Sequence, residues 1–208
     1  MCVDRAGIVG NDGETHQGVF DLSFFDIVPN LVVMAPKDFK ELEDMLEYAV
    51  KLKKPVVIRY PRGGEGDIKF DIHTPLETNQ AEIIKNGKDL SIIAIGKMVE
   101  RAVEASNIIE KQGKQVEVIN ARFLKPIDKE NIIKSITKTK KVVTIEDNIV
   151  KCGLGSEIEN IIIEKGLKDI AFKKYGYPDE FVKHGSVGEI EKKYGLDAES
   201  LARDIEKM

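Results

Sequence analysis

Between Asp4 and Gly18 the sequence reads DRAGIVGNDGETHQG, which sets Arg5, Asp12, Glu14 and His16 among four glycines. A second charged stretch, RYPRGG, runs from Arg59 to Gly64. Glycine lets backbone come close to a ligand, arginine holds a phosphate through forked donors, and histidine moves protons near neutral pH. Together these residue types point to a pocket for a phosphorylated substrate with acid–base chemistry. Each also has a plainer use. Asp12–Gly13 is an ordinary turn signal, His16 could be satisfied by backbone, and Arg5 could pair with Asp4 or Asp12. Arg59 and Arg62 compete for the ligand-facing role, because either could form a structural ion pair and alternation along a strand does not decide between them.

The elements that must position these residues follow from the hydrophobic pattern. LVVMAP (31–36) reads as a short, fully buried strand and KDFKELEDMLEYAVKLKK (37–54) as a helix. Asp38 and Glu41 have the spacing of a capping box, and Phe39, Leu42, Met45, Leu46, Ala49 and Val50 form one apolar stripe. PVVIRYPRGG then reads as a second buried strand, so strand, helix and strand imply a crossover between parallel neighbours. Parallel α/β sheets bind ligands beyond the C-terminal ends of their strands. Both charged stretches fall there, one after a strand near Cys2 and one after the strand at Val56.

Residues 64–80 mix Gly, Pro, Thr, Asn and charge without a sustained period, which predicts a linker and a division into units 1–80 and 81–208. The second unit repeats the alternation. LSIIAIG, QVEVINA, KVVTIED and DIAFKKYG read as strands, with helices after the first three and DAESLARDIEKM as a closing helix capped by Asp197. The fold class is therefore α/β, with two units built on mostly parallel sheets. The first unit has only three strands, near Cys2, Leu31 and Val56, and the first of them opens the chain. The expectation is an incomplete domain with roughly half of it lying upstream.

Composition narrows the partners. The 32 Lys and Arg against 36 Asp and Glu leave a net charge of −4, which gives no electrostatic reason to expect nucleic acid or a membrane. Cys2 and Cys152 match neither a zinc motif nor a redox pair, and no apolar run approaches a membrane span, so the expectation is a reduced, cytoplasmic chain. Glu146 and Asp147 resemble a paired carboxylate site, but a structural role at a domain or subunit contact is the better reading. His184 lies in a loop with no catalytic role to argue, His73 reads as a solvated linker residue, and Cys152 as tolerated packing ahead of a helix.

Taken together, DRAGIVGNDGETHQGVFDLSF, VPNLVVMAP and RYPRG closely resemble the middle of the 1-deoxy-D-xylulose-5-phosphate synthases, transketolase-like thiamine diphosphate enzymes. The resemblance continues through ARFLKPID, VVTIEDN, YGYPDEFVKHG and YGLDAESL and so covers essentially the whole chain. It implies that residues 1–80 are the later half of a pyrimidine-binding domain and 81–208 a transketolase C-terminal domain. It also implies a complete enzyme that joins the two-carbon unit left by decarboxylated pyruvate to D-glyceraldehyde 3-phosphate, for isoprenoid, thiamine and pyridoxal synthesis. Arg5 and Arg62 match the family arginines near the acceptor's phosphate, and Asp12 and His16 match its substrate-facing acid and histidine. Cys152 stands where the family more often has glycine, and Glu14 where proline or glutamine is commoner.

The family's remaining essentials have no counterpart here. The glutamate and aromatic groups around the thiamine ring and the magnesium motif match no segment, and GNDG is neither a P-loop nor a diphosphate-metal motif. The implied cofactors, thiamine diphosphate and Mg2+, therefore belong to the full-length enzyme, with none bound by this chain alone. The chain should be an inactive part that partners the N-terminal portion of the same enzyme within a homodimer. The alternatives are a C-terminal or beta subunit of another thiamine diphosphate enzyme and a non-catalytic oligomerisation module.

Overall fold

The computed structural model describes residues 1–70 and 73–208. Its strands are β1 (Cys2–Val3), β2 (Val32–Met34), β3 (Val56–Arg59), β4 (Glu82–Lys85), β5 (Leu90–Ala94), β6 (Val116–Asn120), β7 (Phe123–Lys125), β8 (Lys141–Ile149) and β9 (Ala171–Tyr177). The helices are α1 (Asp21–Asp26), α2 (Phe39–Leu52), α3 (Met98–Glu110), α4 (Lys129–Thr139), α5 (Leu154–Glu164), α6 (Val187–Lys193) and α7 (Ala198–Ile205).

The β-branched runs at 32–34 and 56–59 are buried throughout, as strands covered on both faces must be. β1, β3 and β2 lie side by side in parallel, with Val32 opposite Val56 and Cys2 opposite Ile58. The fourth strand of this sheet comes from far along the chain. β7 runs antiparallel to β2, with Val33 opposite Lys125 and Met34 opposite Phe123, and so covers the edge that a three-stranded sheet leaves open. The second sheet has the order β4-β6-β5-β8-β9, and only β4 runs against its neighbour. Both sheets are thus mostly parallel α/β, as the alternation predicts.

Period-two alternation along β5 divides the second core. Ile92 and Ala94 face Met98, Ala102 and Ile109 of α3 and Leu201 of α7, whereas Ile93 packs with Ile136 of α4 and Ile158 and Ile161 of α5. The latter cluster also takes in Leu22, Val33 and Ala35, so the two sheets share packed apolar surface. Asp197 caps α7 as expected, accepting the Ser200 N–H at 3.1 Å.

Three expectations are corrected. α2 is capped by Asp38, which accepts the Glu41 N–H at 2.7 Å, but Glu41 does not reach back to complete a capping box. Its carboxylate instead accepts from three buried donors, the Lys37 N–H at 2.7 Å, Arg122 Nε at 2.7 Å and Asn120 Nδ2 at 2.9 Å, of which the guanidinium is charged and the strongest. The apolar stripe of α2 is only partly covered. Met45 is buried with Leu42 and Ala49 against the sheet, while Phe39, Leu46 and Val50 stay 56%, 42% and 82% exposed, since four short strands are narrower than the stripe. His73 is not simply solvated, for its Nε2 lies 2.7 Å from the capping carboxylate of Asp38. Sequence alone also left α1, α6, β4 and β7 without assignment.

The segment 64–80 contains no helix or strand among its described residues; Asp71 and Ile72, inside the predicted linker, lie outside the description. It is fastened rather than free, with the Ile68 N–H donating to Glu100 Oε1 at 2.9 Å and Arg122 Nη2 donating to the Thr74 carbonyl at 2.9 Å. Among the described residues no helix is long and apolar enough to cross a membrane.

Candidate functional site

The loop after β1 is closed at its neck by Gly7 and Gly18, whose N–H groups each donate to the other's carbonyl at 2.9 and 2.8 Å. Gly7 has φ +68°, a conformation costly for any residue with a Cβ. Inside the neck, Gln17 is buried and accepts the Val9 N–H at 2.7 Å. A single 3-10 turn spans Gly10–Asp12, and the His16 N–H bonds the Gly13 carbonyl at 3.0 Å. The sequence folds this way because glycine at 7, 10 and 13 supplies three positive φ values in seven residues.

This geometry brings Asp12 to the segment after β3, where Arg62 Nη1 bonds Asp12 Oδ2. Both side chains are accessible, at 58% and 32% for Arg62 and Asp12. His16 is also exposed, with Nδ1 2.9 Å from Thr15 Oγ1, which leaves Nε2 for a ligand. Arg5 lies at the base of the loop with φ +60°; its Nη1 bonds Asp4 Oδ2 at 3.3 Å while its Nε is buried without a partner. Of the predicted set, Asp12 and Arg62 are in direct contact, Arg5 and His16 belong to the same loop, and no hydrogen bond joins those two to each other.

Burial separates the two arginines. Arg59 is 1% exposed and spends its guanidinium inside the protein, on Asp147 Oδ1 at 2.5 Å, the Gly18 carbonyl at 2.7 Å, the Asp147 carbonyl at 3.0 Å and Asp21 Oδ2 at 3.3 Å. Burial alone would lower its pKa, but Asp147 and Asp21 hold it above the ordinary arginine value. Arg62 alone of the pair faces solvent. A cleft of roughly 180 Å3 opens beside it, between Pro61, Gly64, the start of α3 and α6. The other cations of that cleft are engaged, because Glu191 takes Lys97 at 3.4 Å and Arg101 at 3.0 Å. Arg62 is itself paired with Asp12 but is the most exposed of the three cations, and the carboxylates of Glu65, Glu100 and Glu191 line the same cleft.

Glu146 and Asp147 are not a paired site. As neighbours on β8 they diverge: Asp147 meets Arg59, and Glu146 accepts the N–H groups of Leu154 and Gly155, both at 2.9 Å, at the start of α5. Burial pushes the Glu146 carboxyl up to about 7, against the opposing pull of those two N–H donors. Cys152 is exposed at φ +54°, and a left-handed position of this kind, rather than packing, is the physical reason glycine suits it.

One neighbour of the loop escaped sequence reasoning. The 183–185 segment lies against it: Gln17 Nε2 donates to the Lys183 carbonyl at 3.5 Å, the Gly185 N–H meets the Gly10 carbonyl at 3.4 Å, and a Cβ on Gly13 would sit 3.7 Å from that of His184. A contact across some 170 positions leaves no local signal; only the tally of loop histidines could have raised it. Among the described residues, no three His, Cys, Asp or Glu side chains gather where a metal ion could sit. What the site presents instead is an exposed guanidinium–carboxylate pair, Arg62 and Asp12, and the exposed imidazole of His16.

Known proteins resemble this chain in sequence and in fold. The family described as transketolase, C-terminal domain, matches residues 79–201, and that described as transketolase, pyrimidine binding domain, matches residues 1–64. The 1-deoxy-D-xylulose-5-phosphate synthase of Desulforudis audaxviator is 43% identical over 207 residues, covering 99% of this chain and 33% of that one. The protein of the same name from Heliobacterium modesticaldum is 44% identical over 204 residues, covering 98% of this chain and 31% of that one. The chain thus spans about a third of the length of the curated relatives it matches. A solved structure described as a split gene transketolase, inactive beta4 tetramer, superposes with a TM-score of 0.88 at 31% identity, covering 99% of this chain and 65% of that chain.

Proposed function

Because the chain belongs to the transketolase family through its C-terminal domain, we propose that it is the acceptor-binding and C-terminal part of a 1-deoxy-D-xylulose-5-phosphate synthase. The complete enzyme would join the two-carbon unit of decarboxylated pyruvate to D-glyceraldehyde 3-phosphate. The observation that carries this reading is the accessible Arg62–Asp12 pair at the strand ends, in a chain that matches proteins of that name along its whole length. In the same reading residues 1–80 are the pyrimidine-binding part and 81–208 the C-terminal domain.

The roles follow from the side chains. An exposed ion pair is worth only ~0–1 kcal/mol, so a phosphate dianion can take Arg62 from Asp12 at little cost. The exchange frees the Asp12 carboxylate to orient the acceptor's hydroxyls. Arg5, with one buried donor unpartnered, would turn from Asp4 to the same phosphate. His16 would give a proton to the acceptor's carbonyl oxygen as the carbon–carbon bond forms. Thiamine diphosphate, with Mg2+, supplies carbanion stabilisation in the complete enzyme. Beside it, the residues of this chain would bind and orient the acceptor and supply its proton.

Alone, the chain would be inactive, as the split transketolase structure is described to be. The complete protein would be a cytoplasmic homodimer, for which the exposed Phe39, Leu46 and Val50 of α2 offer apolar area. The same neighbour favours a second reading, a subunit of a split transketolase, which would take its two-carbon unit from a ketose phosphate without releasing carbon dioxide. The deciding measurement uses carboxyl-labelled pyruvate, D-glyceraldehyde 3-phosphate, thiamine diphosphate and Mg2+, with this chain alone and joined to the further two thirds found in its relatives. Labelled carbon dioxide from the joined protein only is the expected result. Turnover of a ketose phosphate donor with no release from pyruvate would establish the second reading instead.

A further inference from the structure

The loop that carries Asp12 and His16 is built on the first sheet, yet its neck is seated on the second. Gly7 packs so closely against Asp147 of β8 that a Cβ would fall 2.5 Å from Oδ2. Gly18, its partner across the neck, gives its carbonyl to Arg59 Nη2 at 2.7 Å. The same guanidinium holds the side chain of Asp147 at 2.5 Å and its carbonyl at 3.0 Å, and both side chains are 1% exposed. One buried group from β3 therefore touches the loop's neck, the second sheet, and Asp21 at the start of α1. Between the two necks lie ten residues whose glycines give them wide conformational freedom, so the direction in which the loop leaves the sheet depends on how Gly7 and Gly18 are held.

We propose that Arg59 and Asp147 are positioning residues, a clamp between the sheets that fixes the loop neck and thereby the aim of Asp12 and His16. The proposal rests on the reading of those two residues as acceptor-facing groups. It assigns to the C-terminal domain a part in shaping a site to which β8 contributes no ligand-facing side chain. The fork matters as much as the charge: four donations from one planar group fix an orientation that a lysine, with a single ammonium, cannot reproduce. Asp147 Oδ2, buried and without a donor, is kept beside Gly7 by the bond from Arg59 Nη1 to Oδ1 and that from Nη2 to the Asp147 carbonyl.

The test is segment-resolved amide hydrogen exchange on the 208-residue chain carrying Arg59→Lys, which leaves a cation opposite Asp147 but removes the fork. Exchange at Gly7, His16 and Gly18 should quicken by about tenfold or more, while Ile92 and Ile93 of β5 exchange as in the unsubstituted chain. Unchanged exchange at the neck, or an equal increase throughout both sheets, would overturn the clamp. Should Arg59→Lys fail to fold, Asp21→Asn removes only the outermost contact, at a side chain 23% exposed, and a smaller rise confined to the neck is expected; no rise there counts against the proposal. In the complete enzyme, Arg59→Lys should lower kcat about tenfold with little change in the acceptor's KM, and an unaltered kcat would overturn the positioning role. The exchange experiment stands without activity, so a wild-type protein that lacks the proposed reaction would show the functional reading, and not the clamp, to be at fault.

Discussion

Arg62 and Asp12 meet in solvent, whereas Arg59, three residues away, is sealed between two sheets. That contrast separates the consequences of removing either arginine. Arg62→Ala in the complete enzyme is expected to raise the KM for D-glyceraldehyde 3-phosphate by tenfold or more, and to leave use of unphosphorylated D-glyceraldehyde nearly unchanged; steady-state kinetics with both acceptors checks this. His16→Ala should instead lower kcat by about 100-fold or more with a small effect on KM, as expected when a proton donor to the transition state is lost. The charged residues of the loop were legible because they are contiguous and lie where α/β sheets bind ligands. The choice between Arg59 and Arg62 was not, because β3 ends at Arg59 and strand alternation carries no information beyond it. The nearness of His184 depends on the path of a segment some 170 positions on and has no local signature.

At the scale of elements, periodicity located every long helix and every central strand. It failed for pieces whose identity depends on a partner. β4 and β7 are short, lie at sheet edges and are strands only because β6 and β2 receive them. The stripe on α2 was read correctly as apolar, but burial is a property of what faces the helix. The start of α5 carries a further consequence. Glu146 caps it from complete burial, with a folded pKa pushed from 4.5 up to about 7. Between those two values the folded chain binds the proton more strongly than the unfolded one, so stability falls as pH rises through this window and levels off above it. By that linkage the native state loses up to about 3 kcal/mol from this group between pH 4.5 and 7. Glu146→Gln removes the titration. Urea midpoints measured from pH 5 to pH 8 should show the native protein losing stability relative to the variant as pH rises, and a constant difference would assign Glu146 an ordinary pKa.

Across the whole molecule, three devices join the units that family comparison distinguishes: strand β7, the Arg59–Asp147 pair, and a buried network of four charges. In the last, Lys37 Nζ meets Glu82 at 2.8 Å, Arg122 meets Glu41 at 2.7 Å and Glu82 at 3.0 Å, and all four residues are buried. Two cations face two carboxylates at the centre, with Asp38 3.8 Å from Lys37 Nζ at the edge, and removal of a central member strands a charge in low dielectric. Glu41→Ala should therefore destabilise by about 3–5 kcal/mol. Tyrosine fluorescence and far-UV circular dichroism, in a chain of five tyrosines and no tryptophan, should trace one coincident urea transition in the unsubstituted protein. Two separated transitions would mean that these links are weaker than their burial implies.

Strand β7 also bears on how such a chain can be divided. The natural place to cut, between residues 64 and 80, looks like the border between two self-sufficient pieces. Cut there, the first piece would keep β1, β3 and β2 but lose the neighbour of Val33 and Met34, leaving a bare row of backbone donors and acceptors beside an apolar face. It would then pair with whatever strand was offered, including another copy of itself. Residues 123–125 thus make the later part of the chain a built-in guard against self-association of the earlier part, a dependence of topology that no alignment of separate domains would reveal.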